Sequence, residues 1–286
     1  MVVSQEHNHG SPAFPVAAYP IQYHAGPEFL YFPHYHDELE FFHLTTGSLT
    51  VWVNTIPYTM NAGDSLIIPS AAIHSCKILR GDTCDTQALL CHPDFLLGRS
   101  NDVIYFEYLK HLTAANAVAL YVSAKSSSAS RISHLYHELT AMLSSKPSAY
   151  ELLAKSCLFE LLYLAFLAAD PQASAPTIDP AVSVIRQSLD YLQTHLNEEV
   201  SLTTLANLCC LSPSQYGRLF KRVMGCTPIT YLMEKRIAYA KQLLTETDTR
   251  ISDIAVKAGF NNFSYFNRCF RQYQGMTPSE YRQRNS

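Results

Sequence analysis

No stretch of the 286 residues stays apolar for the roughly 18 to 20 positions that a bilayer span needs. The longest apolar run, Cys157 to Ala169, is broken by Glu160, so no membrane partner is expected. Met1 to Ala13 lacks both a basic n-region and an apolar core. Nothing there reads as a secretory signal, and a cytoplasmic location is the expectation. The eight cysteines, Cys76, Cys84, Cys91, Cys157, Cys209, Cys210, Cys226 and Cys269, contain no CxxC or CxxH spacing. Without a secretory context, buried reduced thiols are expected in place of disulfides or a cysteine-held metal.

An apolar share of 48% over this length is enough for two cores. Charge divides along the same line. From Thr177 onward there are 13 Lys and Arg against 9 Asp and Glu, a net +4, whereas the preceding part has 8 against 15, a net −7. Only the C-terminal part suits a polyanion.

The pattern of elements fits that division. From Phe14 to Val122, short β-branched and aromatic runs such as Leu49 to Val53 and Ser65 to Ile68 end at Asn, Gly or Pro, which is all-β spacing. Arg131 to Ser145 and Ala149 to Ala168 read as helices. Their apolar faces (Leu135, Leu139, Leu143; Leu152, Leu158, Leu161, Leu162) suit either a homodimer or a cover for the β-domain. The chain is thus expected to be a multidomain α and β protein. Residues 1–13 would be disordered, 14–122 β-rich, 131–169 helical, 170–180 a Pro-containing linker and 181–286 all-α.

The C-terminal part repeats itself. Leu202, Leu205, Ala206 and Cys209 are echoed 49 residues later by Ile251, Ile254, Ala255 and Ala258. After the turns the offset becomes 50, matching Tyr216, Phe220, Gly225, Pro228 and Tyr231 to Phe266, Phe270, Gly275, Pro278 and Tyr281. Each copy has an apolar helix, a turn and a second helix closed by Gly, which is a helix-turn-helix plan. Ser212-Pro213 supplies an N-cap and first-turn proline, and Gly259 to Asn262 a C-cap and reversal. Ile229 to Thr245 should form one helix between the copies, with Ile237, Ala240 and Leu244 available to both.

The second helices carry side chains that neither core needs. These are Ser214, Gln215, Arg218, Lys221 and Arg222 in one copy and Ser264, Tyr265, Asn267, Arg268 and Arg271 in the other, with Ser212 and Asn262 at the helix starts. Arg, Asn and Gln read base edges, and Lys and Arg near helix ends suit phosphates.

Ile251-Ser-Asp-Ile-Ala-Val-Lys-Ala-Gly-Phe260, Tyr265-Phe-Asn-Arg-Cys-Phe270 and Gly275-Met-Thr-Pro278 together resemble the DNA-binding signature of the AraC/XylS family of bacterial regulators, over Val182 to Arg284. The resemblance implies double-stranded promoter DNA as a partner, with two helices entering successive major grooves about one turn apart. It places base contacts on Ser214, Gln215 and Arg218 and on Ser264, Asn267 and Arg268. It also implies an activator that contacts RNA polymerase. Gly217 departs from a reading role because it has no side chain.

In the β-rich part, His34-Tyr-His36-Asp-Glu-Leu-Glu40 with Gly47, and Gly63-Asp64 with Pro69, Ala71 and His74, resemble the two cupin motifs, H-x-H-x3-E-x6-G and G-x5-P-x-G-x2-H. This implies a cupin-like β-barrel over Phe14 to Val122. Ala71 stands where the pattern has Gly. Read as one strand, His34, His36 and Glu40 share a parity, with His74 arriving from a neighbour. Three readings stay open: a divalent-metal site for Fe, Mn, Ni or Zn, polar residues that bind a small-molecule effector without metal, or hydrogen-bonded structural histidines. For a sugar effector, Tyr35 or Trp52 would stack while His and Glu take its hydroxyls.

His92-Pro-Asp94 reads as a turn before a helix, and Tyr105, Tyr108, Leu109 and Leu112 as core. The function expected is a ligand-responsive transcription regulator of a metabolic, carbohydrate-type operon, not an enzyme. The competing class is a metal-dependent cupin enzyme that carries a helical domain.

Overall fold

The computed structural model describes residues 9–11, 13–24, 29–78, 82–97, 103–114, 117–168 and 179–285. It divides into two compact units, the first ending at Asp179 and the second beginning at Pro180. Most of the expected linker and residues 1–8 of the expected disordered N-terminus lie outside the described residues. His9 does not follow the disorder expectation: it is 4% exposed.

The first unit contains β1 (Val16–His24), β2 (Phe29–His34), β3 (Leu39–Thr46), β4 (Ser48–Val53), β5 (Ile56–Asn61), β6 (Ser65–Ile68), β7 (His74–Lys77), β8 (Thr83–Cys91) and β9 (Leu120–Val122). They form two antiparallel sheets, ordered β1-β8-β3-β6-β9 and β2-β7-β4-β5. Strand alternation separates two cores. Phe42 and Leu44 of β3, Val51 and Val53 of β4, Leu66 and Ile68 of β6 and Leu90 of β8 pack between the sheets and fill the lumen. Leu39 and Phe41 of β3, Ile67 of β6 and Leu89 of β8 belong to a second cluster on the outer face of the five-stranded sheet. Asp64 pins the β5–β6 turn, accepting from Asn61 N, Ala124 N and the Tyr121 hydroxyl.

Helix α1 (Pro93–Leu96) follows β8, and a π-helical turn at Tyr105–Leu109 leads into α2 (Lys110–Thr113). Leu109 and Leu112 are core, whereas Tyr108 is 47% exposed. Helices α3 (Ala129–Ser145) and α4 (Tyr150–Ala168) contribute Leu135, Leu139, Leu158, Leu161 and Leu162 to the outer cluster. These leucines cover the sheet, each stabilising by about 1.5–3 kcal/mol through burial. Leu152, Tyr163 and Leu167 stay exposed on α4.

The second unit contains α5 (Ala181–Thr194), α6 (Leu202–Leu208), α7 (Pro213–Met224), α8 (Pro228–Glu246), α9 (Ile251–Lys257), α10 (Phe263–Gln274) and α11 (Pro278–Asn285). Ser201, Ser212, Thr227 and Asn262 each accept a backbone N–H at a helix start. Gly225 and Gly275 close α7 and α10 in the left-handed conformation. The connecting helix forms as expected but serves its neighbours in sequence. Tyr231, in its first turn, meets Phe220 of α7 edge-on at 5.7 Å. Ile237, Ala240 and Leu244 lie with Ile254, Ala255, Phe266 and Phe270 in the second copy's core, which corrects the expectation that they serve both. All eight cysteines are unpaired, and only Cys210 is exposed. Among the described residues, no helix is long and apolar enough to cross a membrane.

Candidate functional site

His34 ends β2, His36 lies in the link to β3, Glu40 is on β3 and His74 opens β7. His34, His36 and Glu40 therefore do not share one strand, contrary to the parity expectation, because the chain turns between His34 and Leu39. Cross-strand register takes its place: His34 pairs with His74, and Glu40 pairs with Ile68 on one side and Leu90 on the other. One candidate ligand atom from each of the four residues lies within 4.8 Å of the other three. The backbone fixes this placement further, since Ala71 N donates to His36 O at 2.7 Å. Ala71 does so at φ 58, a conformation that its cupin-pattern equivalent, Gly, adopts without the roughly 1–2 kcal/mol strain of an L side chain.

Hydrogen bonds define which nitrogens face inward. His34 Nδ1 bonds the Phe32 carbonyl at 2.7 Å and His74 Nδ1 the Ala72 carbonyl at 2.8 Å, so each Nδ1 carries a proton. The Nε2 of His74 consequently faces Glu40 Oε2, 3.0 Å away. His36 lies 3.3 Å from Glu40 through Nε2 and 3.4 Å from Glu38 through Nδ1. His74 Nε2 and His36 Nδ1 are buried without a well-formed hydrogen bond. A buried carboxylate faced by two imidazole nitrogens calls for positive charge beside it, which protons on the imidazoles or a metal ion can supply. Carbonyl-oriented imidazoles are also how metal-binding histidines are usually held.

Burial alone would raise the Glu40 carboxyl, but His36 and His74 outweigh it and hold it well below the usual carboxylate range. Burial likewise opposes charge on His36, yet Glu38 and Glu40 push it up to about 9. On the other face of the sheet, burial and then the charge of His137 lower His43 to about 4; it bonds Ser65 at 2.8 Å and stacks on Tyr136. These shifts act in opposite directions on stability. Charged His36 stabilises fully below pH 6.5, and that contribution is lost as pH rises through about 9. Neutral His43 costs nothing above pH 6.5, and its penalty grows to about 3 kcal/mol as pH falls through about 4. The metal-free cupin unit should thus be most stable near pH 6.5. Urea midpoints that rise steadily from pH 6.5 to 9 would contradict this.

Trp52 does not belong to the lumen. On β4, Val51 and Val53 face inward, so Trp52 faces outward, where the Lys77 ammonium sits 5.7 Å from its ring centre. Tyr35 is buried in the β2–β3 link. Three neighbours escaped the sequence reading. His9 lies edge-on to His36 at 5.8 Å and bonds the Tyr19 hydroxyl at 2.7 Å. Glu38 was visible beside His36, but no pattern marked His9 or Tyr19. His92 caps α1, accepting from Asp94 N, as a turn residue would.

In the second unit, Ser214, Arg218, Lys221 and Arg222 of α7 and Ser264, Tyr265, Arg268 and Arg271 of α10 are exposed. Gln215 is committed locally: its Oε1 accepts from Ser212 N, and Ser212 Oγ accepts from Gln215 N, which forms a capping box. Asn262 similarly accepts from Tyr265 N at 2.8 Å. Asn267 is half-buried, and its amide donates to Phe263 O at 3.2 Å. Arg268 lies 5.2 Å above the Tyr265 ring. A Cβ built on Gly217 meets nothing within 4 Å, leaving a gap in the face of α7.

Residues 205–284 match the model of a helix-turn-helix domain family, and residues 18–91 that of the cupin domain family. The chain is 27% identical, over 88% of its length and 86% of the other protein's, to an uncharacterized HTH-type transcriptional regulator, YdeC, of Bacillus subtilis (strain 168). It is 33% identical to the arabinose operon regulatory protein of Escherichia coli (strain K12), over 46% of this chain and 44% of that one. Its fold resembles that of fatty-acid-bound ToxT from Vibrio cholerae, with a TM-score of 0.51 at 14% identity over 93% of this chain and 94% of that one. The chain carries an N-terminal cupin domain and a C-terminal helix-turn-helix domain of the AraC type. Its homologues are AraC-family transcriptional regulators.

Proposed function

We propose that this chain is a ligand-responsive regulator that binds promoter DNA through α7 and α10 and activates an operon of small-molecule, carbohydrate-type metabolism. The observation that carries the reading is the pair of capped second helices with exposed Arg, Lys and Ser side chains, in a unit whose sequence is basic. Base reading falls chiefly on Arg218 and Arg268, since capping and local bonds engage Gln215 and Asn267. A net +4 holds DNA weakly, which favours a homodimer, with the exposed Leu152, Tyr163 and Leu167 of α4 as its face. RNA polymerase is the further partner of an activator.

The test is binding to promoter fragments selected from genomic DNA. Arg268→Ala should cost about 1–3 kcal/mol and relax preference at one base pair. Lys221→Ala should weaken all sequences about equally and reduce the salt slope by about one. Unchanged binding by both variants would remove these helices from the DNA interface.

The cupin domain is the effector site in this reading, with His34, His36, Glu40 and His74 holding a divalent metal. Four buried ligand atoms within 4.8 Å of one another fit such an ion, and three imidazoles with one carboxylate suit Fe, Mn, Ni or Zn. When bound, it supplies positive charge and open coordination positions to an oxygen ligand. The same cluster supports the second reading, a metal-dependent cupin enzyme. Turnover of a candidate substrate by metal-loaded protein, abolished by His36→Ala, would favour that reading over a pure regulator.

A further inference from the structure

Helices α7 and α10 agree in part of what they expose. Ser214 and Arg218 of α7 recur fifty positions later as Ser264 and Arg268 of α10, so a readout resting on these pairs alone would treat both half-sites alike. The next pair is engaged locally: Gln215 closes the capping box at Ser212, and the Tyr265 ring lies 5.2 Å beneath Arg268. The copies part along one row of positions at i and i+4, which holds Pro213 and Gly217 in α7 but Phe263 and Asn267 in α10. In α7 the row is nearly bare, since a Cβ on Gly217 would meet nothing within 4 Å. In α10 it begins with a large apolar side chain at the first helical position, directly after the Asn262 cap, and Phe263 is 47% exposed. Its ring leans on that of Phe266, with 6.2 Å between centres, and its carbonyl accepts from the Asn267 amide at 3.2 Å. Half of a phenyl ring is thus held in place and left in water, where burial against an apolar group would be favourable.

We propose that Phe263 is a specificity-determining residue that packs on the 5-methyl group of a thymine in the half-site under α10. This deepens the reading that α7 and α10 bind promoter DNA, and it rests on that reading. Residues at the start of a recognition helix are the ones that reach base edges, and the apolar group that the major groove offers there is the thymine methyl. Charge favours DNA over an apolar protein partner, because exposed Arg268 and Arg271 follow Phe263 on the same helix of the basic unit. Hydrogen-bonding side chains on α10 read the neighbouring pairs, while Phe263 separates thymine from cytosine by contact alone. The corresponding row of α7 has no side chain that can do this. The two helices are then not interchangeable, and the chain binds its operator in one direction.

The test uses the full chain and the operator that it selects from genomic fragments. Each thymine of that duplex is replaced in turn by deoxyuridine, which removes the methyl group and keeps every hydrogen-bonding group, and affinity is read by fluorescence anisotropy. One replacement should weaken binding about fourfold, the worth of one buried methyl-sized group. That thymine should lie within about three base pairs of the pair at which Arg268→Ala relaxes preference, since five residues of helix rise about 7.5 Å against about 3.4 Å per base pair. Phe263→Ala and Phe263→Ser, both confirmed as folded by circular dichroism, should each bind the thymine and deoxyuridine duplexes equally. An operator without thymine in that half-site, a duplex indifferent to every deoxyuridine, or a deoxyuridine loss that persists in both variants would overturn the inference and leave DNA binding by α10 standing. A chain that selects no operator would remove the DNA reading and the inference with it.

Discussion

Glu40→Gln should lower affinity for divalent metal by more than about 100-fold, measured as Zn2+ competition with a chromophoric chelator at pH 7. Gln keeps the shape of the side chain and removes the carboxylate that both His36 Nε2 and His74 Nε2 face within 3.3 Å. Loss of groups outside the coordination sphere typically costs 10–100-fold, so loss of the charged ligand itself should exceed that range. Because the pairing with His36 and His74 outweighs burial at Glu40, the amide should also cost some stability, so metal affinity is measured on protein shown to be folded by circular dichroism. Wild-type Zn2+ affinity in this variant would mean that the four residues are not the metal site.

The largest structural effect is expected at Gly259. Its φ is +81, and a Cβ there would lie 2.7 Å from both Arg236 Nε and Leu196 O. Arg236 is 8% exposed and donates to Leu196 O at 2.9 Å and Glu198 O at 2.6 Å. Ala would therefore add left-handed strain and displace a buried guanidinium from its acceptors. Gly259→Ala should cost about 3 kcal/mol or more and abolish DNA binding. Gly275→Ala is the control: its φ is +72 but the space is open, so only about 1–2 kcal/mol of strain applies. Equal urea midpoints for the two variants, followed by far-UV circular dichroism, would show that the Arg236 contact adds nothing.

The C-terminal unit was legible almost residue by residue because helix signals are local. Ser212-Pro213, Thr227-Pro228, Gly225 and Gly275 each act within one turn of where they stand, and each appears in its expected role. The error there concerned Ile237, Ala240 and Leu244, since periodicity tells which face is apolar but not which neighbour covers it. In the cupin domain the four cluster residues were found by pattern while the geometric argument for them failed, because strand register is set by distant partners such as His74 and Leu90. Trp52 was misplaced for the same reason: a one-residue change in parity moves a side chain to the other face of a sheet. His9 comes to the cluster through tertiary packing alone, which no local spacing encodes.

Helix α8 is one uninterrupted 19-residue element between α7 and α10. Arg236, near its middle, bonds the backbone ahead of α6 while lying against the turn after α9. Such a strut leaves little freedom to change the interval between α7 and α10, the helices proposed to read the bases. The operator is then constrained in phase as well as in sequence. Base changes within a half-site would be tolerated one at a time, at about 1–3 kcal/mol each. Five base pairs inserted between half-sites would turn the second to the opposite side of the duplex, where a stiff protein cannot reach it. A promoter under this regulator can therefore drift by substitution, whereas insertions and deletions between its half-sites should be lost at once.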